Sequence, residues 1–301
     1  MEPLHQLRQK IAELAKDHSR RPWIDGMTVF ATDRTTQPLG TVSKPAFALV
    51  AQGAKRTVLG DRVFDYHAGQ YLVVAVDLPL TAQITQASRQ EPFLAFGLPL
   101  KPAIIAQLLL EAGPSGSRPD SAEGVVTSDA DDDLLDAVIR LLRLVERPQD
   151  FGILSSAIER EIHWRLMTGP QAATVRQIGL ADGRLSVIAR AIRWIQAHYD
   201  SVIRIDDLAD EVGMSTSSLN RYFRAVTAMS PLQYQKQLRL QKARIELIAA
   251  PRDVAAIGYA VGYDSPSQFS REYRRLFGAP PGEDAVRLQT LAAADVSAGT
   301  P

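Results

Sequence analysis

The last third of this 301-residue chain repeats one arrangement twice, and that repeat constrains the fold more than any bulk property. Residues 205–224 read IDDLADEVGMSTSSLNRYFR, and residues 253–278 read DVAAIGYAVGYDSPSQFSREYRRLFG. Each begins with a short segment whose apolar residues recur at helical spacing, reaches a glycine and then a serine, and continues as a longer polar segment. Glycine accepts the left-handed conformation that closes a helix, and serine is a preferred N-cap for the next. Both stretches therefore predict a helix-turn-helix. In the first, Asp206 can cap the opening helix, Leu208, Ala209 and Val212 form its apolar side, and Ser215 caps a second helix held by Leu219 and Phe223. In the second, Ser265, Pro266 and Gln268 give the signature of a capped helix start, and Phe269, Tyr273 and Phe277 form the buried side.

The opposite side of each second helix carries side chains that can donate to base edges and phosphates from the major groove of DNA. These are Ser217, Asn220, Arg221 and Arg224 in the first motif, and Ser267, Gln268 and Arg271 in the second. Asn220 and Arg221 lead the first set; Arg271 ranks above Gln268, because capping competes for the Gln268 side chain. Between the motifs, Ser230, Pro231 and Gln233 open a helix that runs through QYQKQLRLQKARIELIAA and stops at Pro251. A helix of about 19 residues is roughly 28 Å long, comparable to the ~34 Å pitch that separates successive major-groove faces. Either motif alone reads as an ordinary helical hairpin; two of them joined by a capped rod read as a unit that binds DNA. Residues 185–301 hold 14 Lys and Arg against 12 Asp and Glu, so nonspecific attraction to DNA is expected to be weak and salt-sensitive.

Upstream, the stretch from Trp23 to about Ile84 has another character. PAFALVAQ, KRTVLG, RVFDYH and QYLVVAVDLP are short β-rich runs separated by turn residues, which predicts a small sandwich or barrel. Gly113 to Asp133 is rich in Gly, Ser, Pro and Asp and reads as a mobile loop. From Asp133 a helical pair follows, the first helix carrying Leu134, Leu135, Val138, Leu141, Leu142 and Val145, the second running from about Phe151 to Met167 before Gly169 and Pro170. The pair serves either to complete the first domain's core or to dimerise. Alternation puts Phe47, Leu49 and Ala51 on one strand face, where they are candidates for lining an effector pocket or for plain core packing.

Bulk properties narrow the function. The absence of cysteine excludes disulfides, thiolate zinc sites, thiol nucleophiles and alkyl-transfer repair chemistry. A metal-dependent enzyme would need clustered imidazoles and carboxylates, and His67 stands alone while His5, His18, His163 and His198 are scattered, so neither metal nor cofactor is called for. The amino-terminal MEPLHQLRQKIAELAKDH lacks a signal peptide's apolar core, and the longest apolar run, Tyr71 to Val76, is far short of a membrane span; a cytoplasmic protein is expected. Equal numbers of basic and acidic residues, 34 each, leave the choice of partner to local placement.

Residues from about Leu185 to Arg287 resemble the C-terminal domain of AraC/XylS-family regulators, through LADEVGMSTSSLNRYFR, SPLQYQKQLRLQKAR and VAAIGYAVGYDSPSQFSREYRRLFGAPP. By position the resemblance implies that Ser217, Asn220 and Arg221, then Ser267, Gln268 and Arg271, enter the major groove. GAPPGEDAVRL departs from the family in having Asp284 about where an aromatic residue usually follows the final proline, so the last helix is expected to pack differently. Residues from about Trp23 to Pro99 resemble the N-terminal domain of one branch of the family, through PLGTVSKPAFALVAQGAKRTVLGDRVFDYHAGQYLVVAVDLP, which implies a cupin-like β barrel sensing something small. The whole reads as an α+β two-domain transcription regulator. Residues 1–180 form a cupin-like effector-sensing and dimerisation domain with flanking helices. Residues 185–290 form an all-α DNA-binding domain with helix-turn-helix motifs at about 205–226 and 253–277 joined by a linker helix. The expected partners are double-stranded promoter DNA, an unidentified small-molecule effector, a second copy of the chain and, if it activates, RNA polymerase. A constitutive regulator whose β domain only dimerises is the alternative.

Overall fold

A computed structural model describes residues 2–16, 23–113, 123–181, 183–249 and 253–298. The chain divides into two compact units, Met1–Ala189 with Tyr222–Ala228, and Arg190–Arg221 with Met229–Pro301.

The first unit opens with helix α1 (Pro3–Lys16), followed by eight strands: β1 (Thr28–Thr32), β2 (Leu39–Ser43), β3 (Ala46–Gln52), β4 (Ala54–Leu59), β5 (Arg62–His67), β6 (Gln70–Val74), β7 (Leu78–Gln86) and β8 (Phe93–Pro99). Then come α2 (Pro102–Ala112), β9 (Val125–Asp129), α3 (Asp132–Leu144), α4 (Pro148–Thr168) and α5 (Ala172–Ile178). The strands form two antiparallel sheets, ordered β1-β8-β3-β6-β9 and β2-β7-β4-β5. Residues opposite each other in a ladder share a face. Phe47 therefore joins Val73 and Leu98, and Leu49 joins Tyr71 and Phe96, on one face of the five-stranded sheet. That face is buried in a single core with Leu7 and Ile11 of α1, Ile105 of α2, Val138 and Leu142 of α3 and Ile162 of α4.

The register bears on a choice that alternation left open. Phe47, Leu49 and Ala51 are each 0% exposed on the helix-covered face of the sheet, which is the core-packing reading of the two. Alternation puts residues two apart on one side of a strand, but which side the helices cover is set by the chain's path through space.

Part of the predicted loop is also ordered. Within Gly113–Asp133, Val125–Asp129 forms β9 and extends the sheet as an edge strand on β6; residues 114–122 lie outside the described residues. Only Val125 of this strand is fully buried, so five residues carry too little alternation to stand out from their polar surroundings. The acidic start of α3 behaves as read: Asp131 is the N-cap and accepts from the Leu134 amide at 2.8 Å. Helices α2 and α5 were not foreseen. Helix α2 begins with Pro102 at its first turn and buries Ile105 and Leu108.

From Arg184 onward the chain is helical. Helix α6 (Arg184–Ala197) leads into α7 (Ile205–Val212) and α8 (Thr216–Thr227), then α9 (Pro231–Ala249), α10 (Val254–Ala260), α11 (Pro266–Phe277) and α12 (Pro281–Ala298). Of these, α6 and α8 are each divided between the two units. A core of Leu240, Ala243 and Leu247 from α9, Ile257 from α10, and Phe269 and Tyr273 from α11 holds the second half of this helical stretch. Helix α9 starts with a complete capping box: the Ser230 amide donates to Gln233 Oε1 at 2.9 Å, and the Gln233 amide to Ser230 Oγ at 3.3 Å. No helix among the described residues is long and apolar enough to cross a membrane.

Candidate nucleic-acid interface

In the first motif α7 closes on Gly213 in the left-handed conformation, φ 71° and ψ 39°. The next helix is capped by Ser215, whose hydroxyl accepts from the Ser218 amide at 3.3 Å. Asp206, expected as the cap of α7, does something else. Helix α7 starts two residues earlier than that cap implies, with Arg204 at the N-cap, and the Asp206 carboxylate instead accepts from the Thr216 hydroxyl at 2.9 Å, tying the two helices of the motif together. Arg190 of α6 donates to the Val212 carbonyl at 3.0 Å and so occupies an end carbonyl of α7. With Leu219 and Phe223 buried, Ser217, Arg221 and Arg224 stand exposed on α8. Asn220 is half-buried and its amide donates to the Thr216 carbonyl at 3.0 Å, so a bidentate contact to a base requires it to release that bond.

The second motif repeats the design with different fastenings. Asp253 caps α10 by accepting from the Ala255 amide at 3.0 Å, and Ser265 caps α11 by accepting from the Gln268 amide at 3.4 Å. Pro266 sits at the first turn, as read. The Gln268 side chain helps to hold Glu272 rather than closing the capping box. Ser267, Gln268 and Arg271 are exposed, and Phe269, Glu272 and Tyr273 are buried on the far side of the helix. Two of those three buried residues are polar, and each is fastened. Glu272 accepts from Lys236 Nζ of α9 and from the Tyr263 hydroxyl, both at 3.0 Å. Burial pushes the Glu272 carboxyl up, but the hydrogen bonds from Lys236 and Tyr263 outweigh it and hold the group below the usual carboxylate range. Tyr273 donates to Asp284 of α12 at 2.9 Å.

Helix α9 is more than a spacer. Arg239 donates to three carbonyls, those of Tyr199 and, at 2.8 Å, Ser201 behind α6, and at 2.6 Å that of Gly262 in the turn of the second motif. Gln235, one turn earlier, donates to Tyr199 and Ser201 as well, at 2.9 and 2.7 Å. Sequence reasoning missed this role. The four-residue spacing of Gln235 and Arg239 is its only trace, and it does not say what lies opposite.

In the first unit, Lys55 is the residue that sequence reasoning passed over. The ladder pairs it with Tyr66, and Thr57 lies two residues on; Tyr66 and Thr57 are each 2% exposed, with their hydroxyls 3.4 Å apart. Lys55 thus projects from the buried face of the four-stranded sheet, and no ion pair joins it to an acidic side chain among the described residues. Burial pushes its ammonium pKa down and that of the Tyr66 hydroxyl up to about 12. A separate cavity of about 760 Å³ opens between the end of α1 and β1, lined by Leu14, Trp23, Ile24, Met27 and Phe30 among others, and by none of Phe47, Leu49 and Ala51. His67 is exposed at the end of β5, and no three His, Cys, Asp or Glu side chains gather as a metal site among the described residues.

Comparison with known proteins bears on both units. Residues 23–174 match the model of the AraC-type transcriptional regulator N-terminus, and residues 208–285 match a helix-turn-helix domain. The regulatory protein SoxS of Salmonella typhimurium is 37% identical over 102 residues, covering 34% of this chain and 95% of SoxS. The HTH-type transcriptional regulator CdhR of Pseudomonas aeruginosa is 30% identical over 186 residues, 62% of this chain and 52% of CdhR. The HTH-type transcriptional activator RhaS of Escherichia coli is 27% identical over 150 residues, 49% of this chain and 53% of RhaS. The chain thus spans about half the length of these two longer relatives. Among solved structures, unsaturated fatty acid bound ToxT from Vibrio cholerae superposes over 85% of this chain and 93% of its own length, with a TM-score of 0.55 at 11% identity, a likeness of fold.

Proposed function

This chain belongs to the AraC family of DNA-binding transcription regulators, and we propose that it reads promoter DNA through α8 and α11 set in adjacent major-groove segments. The observation that carries this reading is the pair of capped helices, each with a buried apolar side and an exposed polar one, separated along the chain by a helix of 19 residues. Arg221 and Arg271 make the base contacts that discriminate most. Ser217 and Asn220, then Ser267 and Gln268, support them, and Arg224 holds the backbone. The test is a footprint on duplex DNA selected by the wild-type chain from a random pool, repeated with R221A and R271A. Each substitution is expected to cost about 1–3 kcal/mol of discrimination, at a different set of base pairs. Uniform weakening across all sequences would reassign both arginines to phosphates.

The first unit is read as the sensor. An unpaired ammonium on a buried sheet face is costly, and an anionic ligand group would relieve that cost, so Lys55 with the Tyr66 and Thr57 hydroxyls supports a carboxylate-bearing effector. ToxT, which shares the fold, is described with an unsaturated fatty acid bound. Effector binding then shifts an equilibrium between DNA-binding geometries. The helical layer serves as the dimer face, supported by Leu110 of α2 at 84% exposure and Ile153 of α4 at 76%. RNA polymerase is a further partner if the chain activates, and the cytoplasm is its place of work. Promoter affinity unchanged by every carboxylate in a panel of fatty and aromatic acids, in wild type and K55M alike, would favour a constitutive regulator whose first unit only dimerises.

A further inference from the structure

Asp284 is a fully buried carboxylate, 0% exposed, where the resemblance to the family implies an aromatic ring. Three donors converge on it. Arg244 of α9, 5% exposed at its side chain, approaches both oxygens at 2.8 and 3.3 Å; Arg287 of α12 donates at 2.6 Å; and the Tyr273 hydroxyl donates at 2.9 Å. Arg244 also lies over the Phe277 ring, 4.4 Å from its centroid, while the carboxylate takes the Nε and Nη2 edge of the guanidinium. The carboxylate thus joins three helices, α9, α11 and α12, at one point.

Tyr273 makes that point matter for α11. At 100° per residue, Tyr273 projects about 200° around the helix from Arg271, so the two side chains lie on nearly opposite sides. Apolar packing of Phe269 and Tyr273 is non-directional and leaves a helix free to roll by some degrees. A hydrogen bond from the Tyr273 hydroxyl to a carboxylate clamped by two guanidiniums is directional, and it fixes the roll. On the adjacent side of α11, Glu272 held by Lys236 and Tyr263 gives a second fixed point.

We propose that Asp284 is a positioning residue for base reading: through the Tyr273 hydroxyl it sets the rotation of α11 and hence the aim of Arg271 into the groove. The inference rests on the reading of α11 as a DNA-contacting helix. It gives the departure at position 284 a purpose that an aromatic ring could not serve, because a ring fills the space without specifying an angle.

The experiment uses the full chain and the duplex it selects from a random pool, and compares wild type, R271A, Y273F and R244M/D284L. Y273F removes only the hydroxyl; R244M/D284L replaces the ion pair by apolar side chains of similar size, avoiding an unpaired buried charge. Thermal unfolding is followed in parallel, and affinities are measured where every variant is folded. Y273F and R244M/D284L are each expected to lose about fivefold or more of discrimination at the base pairs that R271A affects, and less than twofold at those that R221A affects. Discrimination retained within twofold at the R271A positions would reduce Asp284 to a packing group and overturn the inference, and so would an equal loss at both sets of positions. If R244M/D284L does not fold, Y273F alone decides. If R271A alters discrimination at no base pair, or the chain selects no duplex, the DNA-reading role of α11 fails and takes this inference with it.

Discussion

A methyl group added at Gly213 would meet nothing within 4 Å, whereas one added at Gly262 would lie 2.2 Å from the Asp200 carbonyl oxygen. Both glycines turn their motifs and both have positive φ, 71° and 89°. The strain of placing alanine in that region is about 1 kcal/mol. G213A is therefore expected to cost ~1 kcal/mol, and G262A at least ~3 kcal/mol, since backbone must move as well. Urea unfolding of the helical unit, followed by helix signal, separates the two. His163 provides the pH dependence. It is 0% exposed; its Nε2 accepts from the Lys101 amide at 3.0 Å, and its Nδ1 faces the Glu159 carbonyl at 2.8 Å. The neutral ring donating from Nδ1 satisfies both contacts. Burial pushes its pKa down, with the carbonyl bond and Glu159 opposing and Lys101 assisting. An unfolded chain then takes up this proton first. Stability from His163 is complete above the unfolded value near 6.5 and is lost as pH falls below it. Melting of the β unit should decline between about pH 6.5 and 5, and H163Q should flatten that decline; an unchanged slope in H163Q would assign it to other groups.

At the scale of elements, α9 ties the segment after α6 to the second motif by polar contacts. Arg239 donates to carbonyls in the segment after α6 and in the turn after α10, so R239M leaves the Gly262 carbonyl to find another partner and the Tyr199 and Ser201 carbonyls to Gln235, while keeping the apolar stem. A loss of about 2–3 kcal/mol in the helical unit is expected, as for hydrogen bonds to a charged donor; a loss below ~0.5 kcal/mol would mean that water replaces the guanidinium without cost. The elements themselves were largely readable. Serine and aspartate caps, proline at first turns and glycine at the ends are local chemistry, and α3, α8, α9 and α11 follow them. The failures are local too. Helix α7 begins one residue before the expected cap because Asp206 found a better donor in Thr216, ten residues on, and β9 is a strand only because β6 offers it an open edge.

At the scale of the molecule, the layer of α2 and α4 over the five-stranded sheet presents large apolar side chains to solvent: Leu110, Ile153, Leu154 and Trp164. Arg160 and Glu111 bridge the two helices within that surface. If this layer is where two copies meet, L110E/I153E is expected to convert the sedimenting species to a monomer without changing the melting of either unit. A wild-type chain that sediments as a monomer at tens of micromolar would remove the dimer from the mechanism. Paired copies would present four reading helices, and loss of pairing should then weaken binding to a two-part site far more than to a single one.

The sequence by itself determined the class of each unit, the positions of both motifs and the exposed polar face of α8 and α11, because caps, turns and amphipathic spacing act over a few residues and leave their mark in order along the chain. It could not say which side of β3 the helices would cover, so it left Phe47, Leu49 and Ala51 between core and pocket, and the structure buries them in the core. Nor could it join Arg244 to Asp284 or Arg239 to Tyr199, partners 40 residues apart. Only the tertiary structure decided those, because the burial that makes an ion pair or a carbonyl contact strong is a property of what surrounds it in space.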